Sequence, residues 1–105
     1  MDRTARLQEF LNANPTDNFL QHALALEYIK MGSEEQAREL FEAILTRDEN
    51  YVGSYYHLAK LLERTGNNEA AITWYEKGMT AAKNAGDNHS YNELQIGRAS
   101  CREGV

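Results

Sequence analysis

Apolar side chains recur along this chain at the three-and-four spacing of a helix, and small polar clusters interrupt them at regular intervals. Leu20, Leu24, Tyr28 and Met31 share one face, which predicts a helix over residues 17–31 that stops at Gly32. Ser33-Glu34-Glu35-Gln36 has the form of a capping box, whose first and last side chains satisfy free amides at a helix start. The helix it opens buries Ala37, Leu40, Phe41, Ile44 and Leu45 and ends near Arg47, a cation suited to the carbonyl end of the dipole. Next come Asn50 as cap, a helix over residues 51–65, a turn at Gly66-Asn67-Asn68 and a helix over residues 69–85. Gly78, inside that last helix, lowers helix propensity by roughly 1 kcal/mol relative to Ala and is read as a close approach of two helices instead of a hinge. Ahead of all this, Ala5, Leu7, Phe10 and Leu11 form a short amphipathic helix that stops before Asn14-Pro15, because proline disfavours helix for its predecessor. Beyond it, Asp87 caps a final helix, and Ser90-Tyr91-Asn92-Glu93 is a further capping-box candidate.

The pattern also repeats. Leu24 recurs as Leu58, Ala25 as Ala59, Gly32 as Gly66, Ala37 as Ala71, Phe41 as Tyr75 and Glu42 as Glu76, each 34 residues on and without a gap. A fixed period of this length is the signature of a solenoid, in which each unit buries its apolar face against its neighbours. The expected architecture is all-α, an α-solenoid of antiparallel helix pairs with about six helices. Its frame divides the chain into a partial repeat over residues 1–16, full repeats over 17–50 and 51–85, and a shortened capping helix over 86–95. A solenoid works through a surface, so a surface is what the sequence points to, not a catalytic pocket.

Composition narrows the function classes. The net charge of -5 lies wholly in the first half, where residues 1–50 hold 5 basic and 10 acidic side chains against 6 of each in residues 51–105. That half repels nucleic acid, and no basic stripe for phosphates is visible. No apolar stretch approaches the roughly 20 residues a bilayer needs, and the first residues lack a signal-peptide core; a cytoplasmic protein without membrane contact is expected. His22, His57 and His89 fall on three different units with no short ligand spacing, so no metal or other cofactor is expected. Without a glycine-rich phosphate loop or a nucleophile-elbow pattern, no enzymatic activity is expected either.

With these residues in place, the chain resembles the tetratricopeptide repeat family, over about residues 1–85. Leu24, Ala25, Tyr28, Ala37 and Phe41 match its signature positions in the first repeat, and Tyr55, Leu58, Ala59, Leu62, Ala71, Tyr75 and Gly78 match them in the second. Gln21 stands where an aromatic is usual, Ile44 where a small residue is usual, and Glu49 and Lys83 where each repeat closes on proline. The resemblance implies a right-handed superhelix whose first helices line a concave groove that holds a peptide or helix of a partner protein. Carried over residue by residue, the groove takes Phe19, His22, Ala23, Leu26, Ile29 and Lys30 from the first repeat and Tyr56, His57, Lys60, Glu63 and Arg64 from the second. A subgroup of the family grips the carboxylate at the end of chaperone tails; His22, Leu26 and His57 replace the Lys, Asn and Asn it uses, so that activity is not implied.

Two readings of the groove stay open. Phe19, Leu26 and Ile29 are either an exposed apolar strip or a surface covered by the first helix or a loop. Tyr56, Lys60 and Arg64 are either a grip for an acidic or aromatic segment or an ordinary solvated face that Glu63 partly neutralises. A different class of function is self-assembly, in which copies stack end to end or swap an end helix and so form a homo-oligomer.

The last ten residues, Ile96 to Val105, do not fit the repeat. Ile96 to Glu103 resemble the codon-by-codon translation of a common short-read sequencing adapter, with Gly104 the one departure. Residues 96–105 are therefore expected to be a non-native tail, and the natural sequence to be lost from about residue 96.

Overall fold

In the computed structural model, residues 2–104 are described; they form six α-helices and no strand. They divide between Arg47 and Asp48 into two compact units.

The first unit holds α1 (Arg3–Ala13), α2 (Asn18–Lys30) and α3 (Glu34–Arg47). Asp2 caps α1 by accepting from the Ala5 amide at 2.8 Å, and Asp17 caps α2 by accepting from the Leu20 amide at 3.0 Å. Each satisfies one of the free amides that open a helix. Between them the chain turns at Pro15, as the sequence predicts. At the far end of α2, Gly32 adopts φ +79°, so the Ser33 amide reaches back to the Tyr28 carbonyl at 2.8 Å and the Gly32 amide to that of Ile29 at 3.1 Å. This paired closure needs a left-handed residue, which glycine supplies without a Cβ penalty. The core joins Leu7 of α1 to Ala23, Leu24, Ala25 and Tyr28 of α2 and Ala37, Phe41, Ile44 and Leu45 of α3.

Gln21, the unusual polar residue at an aromatic position, is buried yet satisfied. Its amide nitrogen donates to the Pro15 carbonyl at 3.0 Å and its oxygen accepts from Arg47 at 2.8 Å. The departure from the family pattern ties the α1–α2 turn and the end of α3 to α2.

The second unit holds α4 (Gly53–Arg64), α5 (Asn68–Ala85) and α6 (Asn88–Glu103). Gly66, at φ +85°, repeats the Gly32 closure, with the Asn67 amide on the Leu62 carbonyl at 2.8 Å. Asp87 caps α6, accepting from both the amide and the hydroxyl of Ser90. Ala37 and Ala71, equivalent by the repeat, are both fully buried.

The start of α4 corrects the sequence reading. Asn50 does not cap a helix beginning at 51; Val52 occupies the cap position of α4, without a side-chain cap bond. The Asp48 carboxylate accepts from the Asn50 amide, the Asp48 carbonyl from Tyr51 and the Asn50 carbonyl from Val52. These bonds wind residues 48–52 into a turn and delay the helix, while the Tyr55 hydroxyl anchors the turn by donating to the Glu49 carbonyl at 2.6 Å.

Gly78 is where three helices meet. A Cβ there would lie 2.6 Å from Cβ of Tyr55 on α4 and 3.0 Å from Leu94 on α6. This glycine is a point of close packing, as its place inside a helix suggests. Farther along, α6 runs without a break across residue 96. Gly97 lies under the Tyr75 ring, Cys101 is buried with its Sγ 3.8 Å from the Asn68 carbonyl, and Arg98 and Arg102 both reach Glu76.

Candidate partner-binding surface

The groove residues implied by the resemblance fall on the first helix of each full repeat, α2 in one unit and α4 in the other. On α2, Phe19 stands 70% exposed, while Leu26 and Ile29 are half-buried and Ala23 is buried. The apolar strip is thus neither fully open nor covered, and Phe19 is its prominent member. His22 is half-buried with its ring edge-on to Phe41 at 5.5 Å, so it serves the packing of α2 on α3 as well as the surface. Lys30 is exposed and lies 3.6 Å from Glu27, a carboxylate that also takes Arg3 at 2.7 Å.

On α4 the side chains form a connected group. Lys60 Nζ sits 5.7 Å from the centre of the Tyr56 ring and 3.8 Å from the Glu63 carboxylate. Glu63 in turn accepts from the Tyr75 hydroxyl at 2.9 Å. Tyr56 meets His57 and Tyr75 edge-on, at 5.8 and 6.4 Å. Burial, reinforced by the hydrogen bond and charge of Glu63, raises the Tyr75 phenol far above its ordinary value and keeps it a donor. Burial also pushes the His57 imidazole below its usual range; Glu93 opposes that shift and Arg64 adds to it. His57 is therefore neutral near pH 7. Arg64 is exposed in the last turn of α4.

Beside this group lies a cleft of about 240 Å³ that the repeat pattern does not announce. Its walls are Val52, Gly53, Tyr56 and His57 at the start of α4 and Ser90, Glu93 and Leu94 of α6. Only the α4 half is accessible from the repeat frame, because α6 departs from the 34-residue register at Asn92. Ser90 and Glu93 carry a signal, the capping-box spacing, but it speaks of helix starts and not of surfaces.

His22, His57 and His89 do not come together, and among the described residues no cluster of three or more His, Cys, Asp or Glu side chains could hold a metal ion. No described helix is long and apolar enough to cross a membrane.

Antiparallel helix pairs repeated at a fixed period, each closed by a left-handed glycine and presenting a half-buried first helix, define a helical-repeat protein. The chain belongs to the tetratricopeptide repeat family, whose model matches residues 28–94. It is similar to a tetratricopeptide repeat domain protein from Salinibacter ruber. The solution structure of that protein is 38% identical, covers 87% of this chain and 91% of its own, and superposes with a TM-score of 0.81. Its crystal structure gives 37% identity, 82% and 97% coverage and a TM-score of 0.79. A protein from Bordetella parapertussis, 25% identical, covers 99% of this chain and 90% of its own with a TM-score of 0.85. No curated protein matches. The family's fold commonly mediates protein–protein interaction.

Proposed function

We propose that this chain is a small non-enzymatic cytoplasmic adaptor that holds a peptide or helix of a partner protein on its first-helix faces. In the first unit the surface is Phe19, His22, Leu26, Ile29 and Lys30; in the second it is Tyr56, His57, Lys60 and Arg64. The observation that carries the reading is the α4 group at its cleft, where the Tyr56 ring and the neutral His57 imidazole border a recess of side-chain size and Lys60, held by Glu63, lies 5.7 Å from the centre of that ring. Such a site offers apolar area together with a few fixed polar groups, the mixture that peptide recognition uses. Phe19 adds a large exposed apolar side chain in the other unit, and large exposed apolar groups are features of interaction surfaces.

Affinity capture of partners from source cells tests the proposal. Combined Tyr56→Ala and Lys60→Glu substitution abolishes capture while far-ultraviolet circular dichroism stays unchanged. Undiminished capture by that variant refutes the assignment.

Residues 96–105 are proposed to be translated adapter, supported by the match of Ile96 to Glu103 to the residues that adapter encodes. The adaptor reading places no role on residues 96–105, although α6 extends through them to Glu103 and packs Gly97 and Cys101 into the second unit. Resequencing the source locus decides: a gene that encodes Cys101 in genomic context defeats the idea.

A further inference from the structure

The 34-residue frame assigns α1 to the place of a second helix, and no first helix of that repeat lies among the described residues. In α3 the positions Ala37, Phe41 and Ile44 are fully buried, and in α5 their equivalents Ala71, Tyr75 and Gly78 are buried too. Their counterparts on α1 are Arg3, Leu7 and Phe10. Leu7 is buried, but Phe10 is 58% exposed and the Arg3 side chain 66% exposed. The same strip that α3 and α5 turn toward a partner helix is open on α1. Together with Arg6 it borders a cleft of about 280 Å³, room for one large apolar side chain between Leu7 and Phe10.

The charge on this strip runs against that of its surroundings. Arg3 holds Glu27 through Nε at 2.7 Å, and the Arg6 guanidinium has no ion pair among the described residues. Glu9, the one acid inside α1, lies about 60° around the helix from Arg6 and is not among the residues that line the cleft. Two cations thus flank an apolar recess in the half of the chain that carries the whole net negative charge. We infer that α1 is a second docking site, separate from the first-helix faces, and that its occupant is an acidic amphipathic helix of a partner protein. The helix lies along α1, sets one large apolar side chain between Leu7 and Phe10, and aligns carboxylates with Arg3 and Arg6. A helix fits better than an extended strand, because the equivalent strips on α3 and α5 belong to helix-on-helix packing.

Two stapled helical probes with the same leucine stripe, one flanked by glutamate and the other by lysine, test this on the full chain by fluorescence anisotropy and amide shift mapping. The glutamate helix binds about tenfold more tightly at low salt, a difference that shrinks in 1 M salt, where the screening length falls to about 3 Å. Its shifts centre on Arg6, Leu7 and Phe10. Arg6→Glu, at an exposed position that leaves the fold intact, reduces or reverses the preference, and Phe10→Ala weakens both probes. Equal affinity of the two helices, an unaltered preference in Arg6→Glu, or shifts confined to α2 or α4 overturns the inference. The Tyr56→Ala, Lys60→Glu variant binds the glutamate helix as the unmodified chain does, so failure of the first-helix surface and failure of this site are told apart.

Discussion

Gly78 and Gly32 show how one residue type resists replacement for two unrelated reasons. At Gly78 the backbone is ordinary helix, and alanine improves propensity by about 1 kcal/mol. The added Cβ, however, would come within 2.6 Å of the Tyr55 Cβ, and overpacking of this kind costs about 1–3 kcal/mol. Gly78→Ala therefore lowers stability despite its better propensity, by about 1 kcal/mol net in urea unfolding. At Gly32 nothing lies within 4 Å of the place a methyl group would take, but φ is +79°; there the strain is purely in the backbone, and Gly32→Ala costs about 1–2 kcal/mol. Relaxing the Gly78 clash by adding Tyr55→Phe does nothing, since the contact is with Cβ and Cγ. His57 supplies a pH effect of definite sign. Its folded-state value lies below the ordinary 6.5, so its neutral form is favoured in the fold and the unfolded chain takes up the proton first. Stability is full above about 6.5 and falls as the pH drops from there through the folded-state value. His57→Gln flattens that part of a pH–stability profile measured by thermal unfolding; an unchanged profile assigns the acid loss elsewhere.

At the scale of the element, α1, α2 and α6 each begin at a side-chain cap that can be removed singly. Asp17 caps α2 through the Leu20 amide, and Asp17→Ala costs about 1 kcal/mol in the stability of the first unit, read from the denaturant midpoint. The Asp87 cap of α6 and the stop glycines Gly32 after α2 and Gly66 after α4 are legible in the sequence because they act within a few residues of themselves. The start of α4 is not. Asn50 is a good cap by residue type, yet the Asp48 carboxylate takes the Asn50 amide and the tyrosine hydroxyl of Tyr55 claims the Glu49 carbonyl, and the turn these bonds hold moves the helix start to Gly53. Gln21 shows the reverse: a polar residue that breaks the family pattern on paper is a hub once Pro15 and Arg47 lie beside it.

For the whole molecule, the family and the all-α architecture rest on the period, and the functional proposals rest on faces. Both the adaptor reading and end-to-end self-assembly use exposed apolar residues, and sedimentation over a concentration series separates them. A monomer throughout is the expected outcome; association that Phe10→Glu or Phe19→Asp abolishes favours assembly instead. The candidate surface is only partly readable from the chain. Lys60 and Tyr56 are four apart on one helix, so their pairing follows from local geometry alone. The cleft needs Glu93 and Leu94 of α6 beside His57, a meeting that no spacing along the chain announces.

The sequence by itself determined the period, the helix order, the Asp87 cap and the stop glycines Gly32 and Gly66, because each depends on backbone bonds that close within about four residues or on a repeated apolar stripe. Tertiary structure alone decided which half of each amphipathic face is covered. Phe19 and Phe10 remain open while Phe41, of the same residue type, is fully buried. Exposure depends on the neighbour that packs against a face, and the burial of His57, with the lowered basicity that follows, belongs to that packing and not to the order of residues.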